Sequence, residues 1–285
     1  MQKVKIIECP RDAMQGLTQI VKTEDKVQYI NALLKVGFDT LDVGSFVSPR
    51  AIPQMADTPE VLNRIDMSAT KSKLLTIVAN AQGARRAAEF EEVTYLGYPF
   101  SISETFQIRN TNASIAESLN RLRDINEICV AKKKELVVYI SMGFGNPYGD
   151  VWSPGLVSDW TLKLNELLKV GVFSISDTVG AATPEMIKNV FEDLMPHSAG
   201  VEIGAHLHAA PNDWQEKVRA AIDAGCYRID GAINGLGGCP FATDKLTGNL
   251  PTEKVVTWLL EQGYELNLDF DALNSATKIA QQLFA

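Results

Sequence analysis

The stretch VKIIECPRDAMQGLTQIVKTEDKVQYINALLKVG, residues 4–37, passes from a β-branched apolar run to a segment of helical period. Its opening VKIIEC reads as a strand. Further on, Val27, Ile30, Leu33 and Leu34 recur at spacings of three, three and one, which lays a single apolar stripe along a helix. Thr23 is a suitable N-cap for that helix, and Gly37 ends it.

The same unit recurs along the chain. TLDVGSF (40–46) precedes TPEVLNRI, KLLTIVAN (73–80) precedes QGARRAAEF, and EVTYLGYPFS (92–101) precedes a long helix within 114–134. ELVVYISMGF (135–144) precedes a helix over 155–169, and VFSISDTVG (172–180) precedes TPEMIKNVFEDLM. VEIGAHLHA (201–209) precedes DWQEKVRAAIDAG, and YRIDGAING (227–235) precedes TEKVVTWLLEQG. These are eight strand–helix units in one domain spanning 1–285, with a helical extension over 269–284. Runs such as LVVYI are apolar on both faces, as strands of a helix-covered parallel sheet are. The expected fold is a (β/α)8 TIM barrel with a C-terminal helical extension. A doubly wound open sheet is the second choice; it usually has fewer strands, and no G-x-G-x-x-G follows the first strand here.

Composition narrows the function. The 285 residues carry a net charge of −8, which argues against nucleic acid as partner but leaves room for a small anionic substrate held by a few arginines. The four cysteines, Cys9, Cys129, Cys226 and Cys239, form no C-x-x-C pair. No apolar run approaches the roughly 20 residues that span a bilayer, and no targeting leader is visible. The reading is a cytoplasmic, soluble protein with free thiols and no membrane partner.

A barrel of this kind carries its site at the C-terminal ends of the strands. Those ends hold Arg11 and Asp12, Asp42, Asn80, Asp177 with Thr178, and His206 with His208. The last strand runs into the glycine-rich loop of Cys239. A lone acid at a strand end is usually a helix cap, but this collection is harder to dismiss. His206 and His208, two of only three histidines, would lie on one face of a strand. With Asp12 and a neutral oxygen from Asn249 they form a mixed N/O set suited to Mg²⁺ or Mn²⁺. Arg11, always charged and with a rigid fork of donors, could hold a carbonyl oxygen that becomes an enolate. Cys9, Cys129 and Cys226 read as small buried hydrophobes, whereas Gly235, Gly237 and Gly238 free the loop of Cys239 to reach the mouth.

The motifs ECPRDAMQG, SFVSPRAIPQM, SDTVGAATP, HLH, GLGGCPFA and TGNLPTE, in this order, resemble the 3-hydroxy-3-methylglutaryl-CoA lyases, metal-dependent enzymes on a TIM barrel. The likeness runs from residue 6 to about 262. It implies an acyl-CoA substrate, cleaved to acetyl-CoA and acetoacetate. Asp12, His206, His208 and Asn249 match the metal ligands, and Arg11 matches the arginine that steadies the enolate. Cys239 matches the loop cysteine of proton transfer, and Asp177 an aspartate near the substrate hydroxyl. Gln15 matches a glutamine close to the substrate; Ser45 and Thr178 are expected to bind substrate with it. Arg50 is the candidate for the CoA phosphates.

The chain departs from the lyase pattern at Asp42, where glutamate is usual, after His208, where an aspartate is usual, and in GFGNPYGD, which lacks the customary cysteines. A condensing enzyme of the isopropylmalate-synthase type is the alternative enzyme, though those usually carry a C-terminal regulatory domain. A barrel that binds without turnover is the alternative outside catalysis. The apolar extension ALNSATKIAQQLFA would either cap the barrel or pack on a second copy of the chain to give a homo-oligomer.

Overall fold

The computed structural model describes residues 2–68, 70–238 and 247–284. Among these residues there are ten strands: β1 (Lys5–Glu8), β2 (Thr40–Ser45), β3 (Lys73–Ile77), β4 (Val93–Ser101), β5 (Glu135–Ser141), β6 (Val172–Ser176), β7 (Glu202–His206), β8 (His208–Ala209), β9 (Arg228–Gly231) and β10 (Gly248–Asn249). β1 to β7 and then β9 pair in sequence, all parallel, and β9 pairs back onto β1 through Ile6↔Ile229 and Glu8↔Gly231. That pairing closes the barrel and excludes the open doubly wound sheet. β8 and β10 stand outside it as a small antiparallel pair.

The helices are α1 (Pro10–Gln15), α2 (Thr23–Val36), α3 (Thr58–Leu62), α4 (Ala81–Ala87), α5 (Glu104–Thr111), α6 (Ile115–Lys132), α7 (Pro154–Leu168), α8 (Pro184–Leu194), α9 (Trp214–Asp223), α10 (Thr252–Glu261) and α11 (Phe270–Leu283). The longer ones bury an apolar stripe. In α8 the stripe is Ile187, Val190, Phe191 and Leu194, all buried. The extension, α11, packs on α2 of its own chain, with the rings of Tyr29 and Phe284 edge to face at 5.6 Å. No helix among the described residues is long and apolar enough to cross a membrane.

Side-chain alternation divides the barrel interior into two walls. Across β3 to β6 it is largely apolar, with Leu75, Tyr95, Val137, Tyr139 and Val172 forming their own cluster and Lys73 and Ser174 as polar members of those strands. On the β7, β9, β1 and β2 side the register brings charged residues inward instead. Lys5 sits beside Arg228, Ile7 beside Asp230, and Asp230 beside His206. The site therefore rests on a charged wall facing an apolar one.

Some local expectations need correction. Thr23 is the first helical residue of α2 rather than its cap; the N-cap is Lys22, which makes no capping bond, and the Thr23 hydroxyl donates to Asp57 Oδ2 at 2.8 Å. Gly37 does end the helix, in the left-handed region at φ 82°. Helix α5 was not anticipated, although Ser103 caps it by accepting from Phe106 N. The two histidines do not share one strand. The barrel strand stops at His206, and His208 begins the antiparallel pair with Asn249 opposite.

Glu8 clamps the barrel seam. It is fully buried, and its oxygens accept from Ile233 N at 2.9 Å and from the Thr252 hydroxyl at 2.5 Å. Burial pushes its pKa up to about 8, against the lowering effect of those two hydrogen bonds. Folded Glu8 thus keeps a proton that the unfolded chain gives up near its ordinary value of 4.5. Between those two values the native state binds the extra proton, so stability is full below 4.5 and falls as pH rises through about 8. Glu8→Gln should flatten that fall: melting temperatures of the two proteins, followed from pH 6 to pH 9 by circular dichroism, converge or cross toward the alkaline end.

Candidate active site

Pro10 occupies the first turn of α1, where its missing N–H costs nothing, and so turns the chain into a helix directly after β1. This places Arg11, Asp12 and Gln15 at the mouth, with Arg11 and Gln15 one turn apart on the same helix face. The Arg11 guanidinium is held on both sides. Its Nε and Nη2 donate to Asp42 Oδ2 at 2.9 and 2.5 Å, and its Nη1 donates to Asp12 Oδ1 at 2.7 Å and Gln15 Oε1 at 3.0 Å. Of five donors, these bonds engage four, leaving one N–H for a ligand.

The two carboxylates respond in opposite directions. Burial raises Asp42 to about 6, and Arg11 offsets only part of that. Burial acts on Asp12 too, but Arg11, His206, His208 and the Asn249 hydrogen bond together outweigh it and hold its carboxyl well below the usual range. Asn249 Nδ2 donates to Asp12 Oδ2 and to Leu236 O, both at 2.7 Å, which fixes which end of the amide is which.

His206 and His208 face each other edge on, centroids 5.3 Å apart. One ligand atom from each of Asp12, His206 and His208 lies within 4.8 Å of the others. His208 is 3% exposed, and neither of its ring nitrogens has a partner. A buried imidazole left without hydrogen bonds is costly, and a cation between these donors would satisfy it. Burial and the neighbouring His206 lower its pKa to about 4, so the ring is neutral, as a metal ligand must be. The residues present therefore fit a divalent cation.

Above this cluster opens a cavity of about 370 Å³. Arg11, Asp12, Gln15, Thr178, His206 and His208 line its polar part, and Ile52, Ile77, Pro99 and Tyr139 supply much of its apolar wall. Helix α5, absent from the sequence reading, contributes Phe106, Asn110 and Thr111.

Not every expected site residue lines the cavity. Asp177 does not line the cavity; its oxygens accept from Ala182 N at 3.0 Å and from buried Lys217 at 3.3 Å. Lys217 also donates to His208 O at 2.7 Å, so this ion pair supports the strand end behind the imidazole. Ser45 is buried and faces its own loop, where its Oγ accepts from Val47 N at 3.2 Å. The Thr178 hydroxyl reaches the cavity while accepting from Met142 N at 2.8 Å. Asn80 caps α4 by accepting from Gly83 N. Arg50 is exposed and does not line the cavity, although its neighbours Ala51 and Ile52 do. Cys239 lies outside the described residues, while Cys9, Cys129 and Cys226 are buried. Asp42 is buried behind Arg11 rather than open to the cavity. The sequence reading missed Lys217, Arg228 and Asp230. The last two were visible as charges two apart in the short apolar strand YRIDG.

The HMGL-like family matches residues 3–279. The chain belongs to the HMGL-like family. A cytoplasmic 3-hydroxy-3-methylglutaryl-CoA lyase of Rattus norvegicus is 33% identical over 280 residues, covering 96% of this chain and 79% of its own. The hydroxymethylglutaryl-CoA lyase YngG of Bacillus subtilis is 32% identical over 97% of this chain and 92% of its own. Among solved structures, the HMG-CoA lyase of Brucella melitensis superposes with a TM-score of 0.92 at 31% identity, covering 99% of both chains. That of Acinetobacter baumannii, in complex with coenzyme A and 3-methylmalate, gives 0.89 at 29% identity, over 99% of this chain and 91% of its own. The closed parallel barrel is the expected fold, and Asp42 reaches Arg11 although its side chain is one methylene shorter than glutamate. No aspartate follows His208; Asp213 sits at the N-cap of α9 and makes no capping bond.

The Lys217–Asp177 pair is buried on both sides. Removing only the cation leaves an uncompensated carboxylate, so Lys217→Met should cost about 3–5 kcal/mol in urea unfolding. Adding Asp177→Asn to that variant should recover part of the loss.

Proposed function

We propose that this chain is a divalent-cation-dependent carbon–carbon lyase, one catalytic barrel spanning 1–285, that cleaves 3-hydroxy-3-methylglutaryl-CoA to acetyl-CoA and acetoacetate. The observation that carries the reading is the cluster of Asp12, His206 and unpartnered His208 beside a clamped arginine at the floor of a cavity. The names of the relatives and the coenzyme A bound to the Acinetobacter enzyme support the substrate class.

Asp12, His206 and His208, with the Asn249 amide oxygen, would hold Mg²⁺ or Mn²⁺. When bound, that cation lowers the cost of taking the proton from a tertiary alcohol. The protein's own groups handle the other half of the retro-aldol cleavage. Breaking the carbon–carbon bond leaves the acetyl thioester as an enolate, whose oxygen needs a fixed positive donor. Arg11 has one N–H unspent and cannot rotate, because Asp42 and Asp12 grip it from both sides. Asp42 acts as the positioning residue for that guanidinium. Asp177 acts at one remove from the substrate, through Lys217 and the His208 carbonyl. Gln15 and Thr178 line the cavity and bind substrate there, and Ser45 shapes the loop beside it. Cys239 delivers the proton to the enolate carbon; the proton taken from the alcohol passes to solvent, from which the thiol regains its own, so no net proton is gained or lost. The reaction takes place in the cytoplasm, the compartment in the name of the rat relative.

Acetoacetate and acetyl-CoA released from 3-hydroxy-3-methylglutaryl-CoA test the reading. Turnover should require Mg²⁺ or Mn²⁺, vanish in His206→Ala, and drop at least about a hundredfold in Cys239→Ala. Cation binding with no product from this thioester would instead point to a binding barrel. Condensation of acetyl-CoA with an oxo acid would point to the synthase alternative.

A further inference from the structure

A line of charge runs up the inside of the barrel to the back of His206, half-buried at its lower end and fully buried at Arg228 and Asp230. At its lower end Lys5 pairs with Glu202, and Glu202 Oε1 pairs with Arg228 Nε at 3.0 Å. Arg228 Nη1 donates to Asp230 Oδ1 at 2.9 Å. Asp230 Oδ2 accepts from the Ser174 hydroxyl at 3.2 Å and faces His206 Nδ1 at 3.3 Å. Arg228 and Asp230 are 2% and 1% exposed, inside a barrel whose opposite wall is apolar. Gly204 makes room for this arrangement: a Cβ there would lie 2.9 Å from Arg228 Nη1 and 3.1 Å from its Cδ.

We infer that Asp230, held by Arg228 and Ser174, is a positioning residue that fixes His206 with its proton on Nδ1 and its Nε2 bare toward the mouth. The inference rests on the cation site proposed above. An imidazole that presents the wrong nitrogen cannot ligate, so its outer hydrogen bond decides its competence. Asp230 is poorly suited to be a ligand itself, although one of its oxygens lies within 4.8 Å of donor atoms of Cys9 and His206. It does not line the cavity, whereas Asp12, His206 and His208 do, and it stands behind the His206 ring on the Nδ1 side. The ion pair with Arg228 thus supplies a charged acceptor able to select a tautomer. The same holding fixes the ring plane, which stands edge on to Tyr139 at 5.8 Å.

The chain has three histidines, so long-range ¹H–¹⁵N spectra of ¹⁵N-histidine-labelled protein resolve each ring. In metal-free native protein at alkaline pH, His206 should be the Nδ1–H tautomer. A native His206 protonated on Nε2 overturns the inference without any variant. Asp230→Asn should mix the tautomers and raise the dissociation constant for Mn²⁺, read by electron paramagnetic resonance, by roughly 10- to 100-fold. Asp230→Glu should restore part of both. Ser174→Ala, a milder change, should weaken Mn²⁺ binding in the same direction and by less. Folded Asp230→Asn with native Mn²⁺ affinity and an unchanged tautomer overturns the inference. So does loss of a second equivalent of Mn²⁺ in that variant, which would make Asp230 a ligand. Native protein with the Nδ1–H tautomer but no Mn²⁺ binding would sink the cation site instead, leaving the positioning itself intact.

Discussion

Arg11 held between Asp42 and Asp12 is the contact on which the mouth of this barrel depends. It joins α1, just past the end of β1, to the middle of β2 and sets the place of the first carboxylate of the cluster. A buried pair of this kind contributes little net stability against an apolar alternative, since desolvation offsets the attraction. Its value lies in geometry. A guanidinium gripped through Nε and Nη2 on one side and through Nη1 on the other keeps one orientation. Asp42 Oδ1, buried and without a hydrogen-bond partner, shows that the barrel tolerates a local cost to hold it.

Around that contact the barrel separates its labour by wall. The apolar side, β3 to β6, packs like any core and gives the cavity its hydrophobic face. The opposite side carries Glu202, Arg228, Asp230 and His206 in one ladder, with Lys5 joined to it at the floor. Charged interiors survive only when each member has a partner, and here each does. Lys217 and Asp177 extend the same logic outside the barrel, behind the His208 carbonyl.

The sequence was legible where one residue type decides the matter. Alternation of apolar strands and amphipathic helices pointed to eight units and a barrel, because burial on both faces leaves few other patterns. Arg11, Asp12, His206 and His208 stood out because polar groups at strand ends of such a barrel share one mouth. What stayed hidden depends on partners far apart in the chain. Nothing near Asp177 announces Lys217, 40 residues later, so the sequence shows neither that ion pair nor that Asp177 stays off the cavity lining. Asp42 likewise looked exposed to chemistry and is instead buried behind Arg11. The break at Leu207 escaped because H-x-H fits a continuous strand equally well, and only the pairing of β8 with β10 distinguishes the two. Helix α5 was overlooked because its apolar stripe is weak; only its serine cap marks it.

The pairing of β8 with β10 sets His208 directly across from Asn249. Below it, the stems of the glycine-rich segment close on each other and on α1. A Cβ on Gly248 would fall 2.2 Å from Gly235 O, and one on Gly237 would fall 2.4 Å from Asp12 O. The stems are therefore stitched together by backbone contacts that admit no side chain, one of them with Asp12 itself. A single antiparallel rung thus holds two of the proposed donors at a spacing that any larger residue at 237 or 248 would disturb.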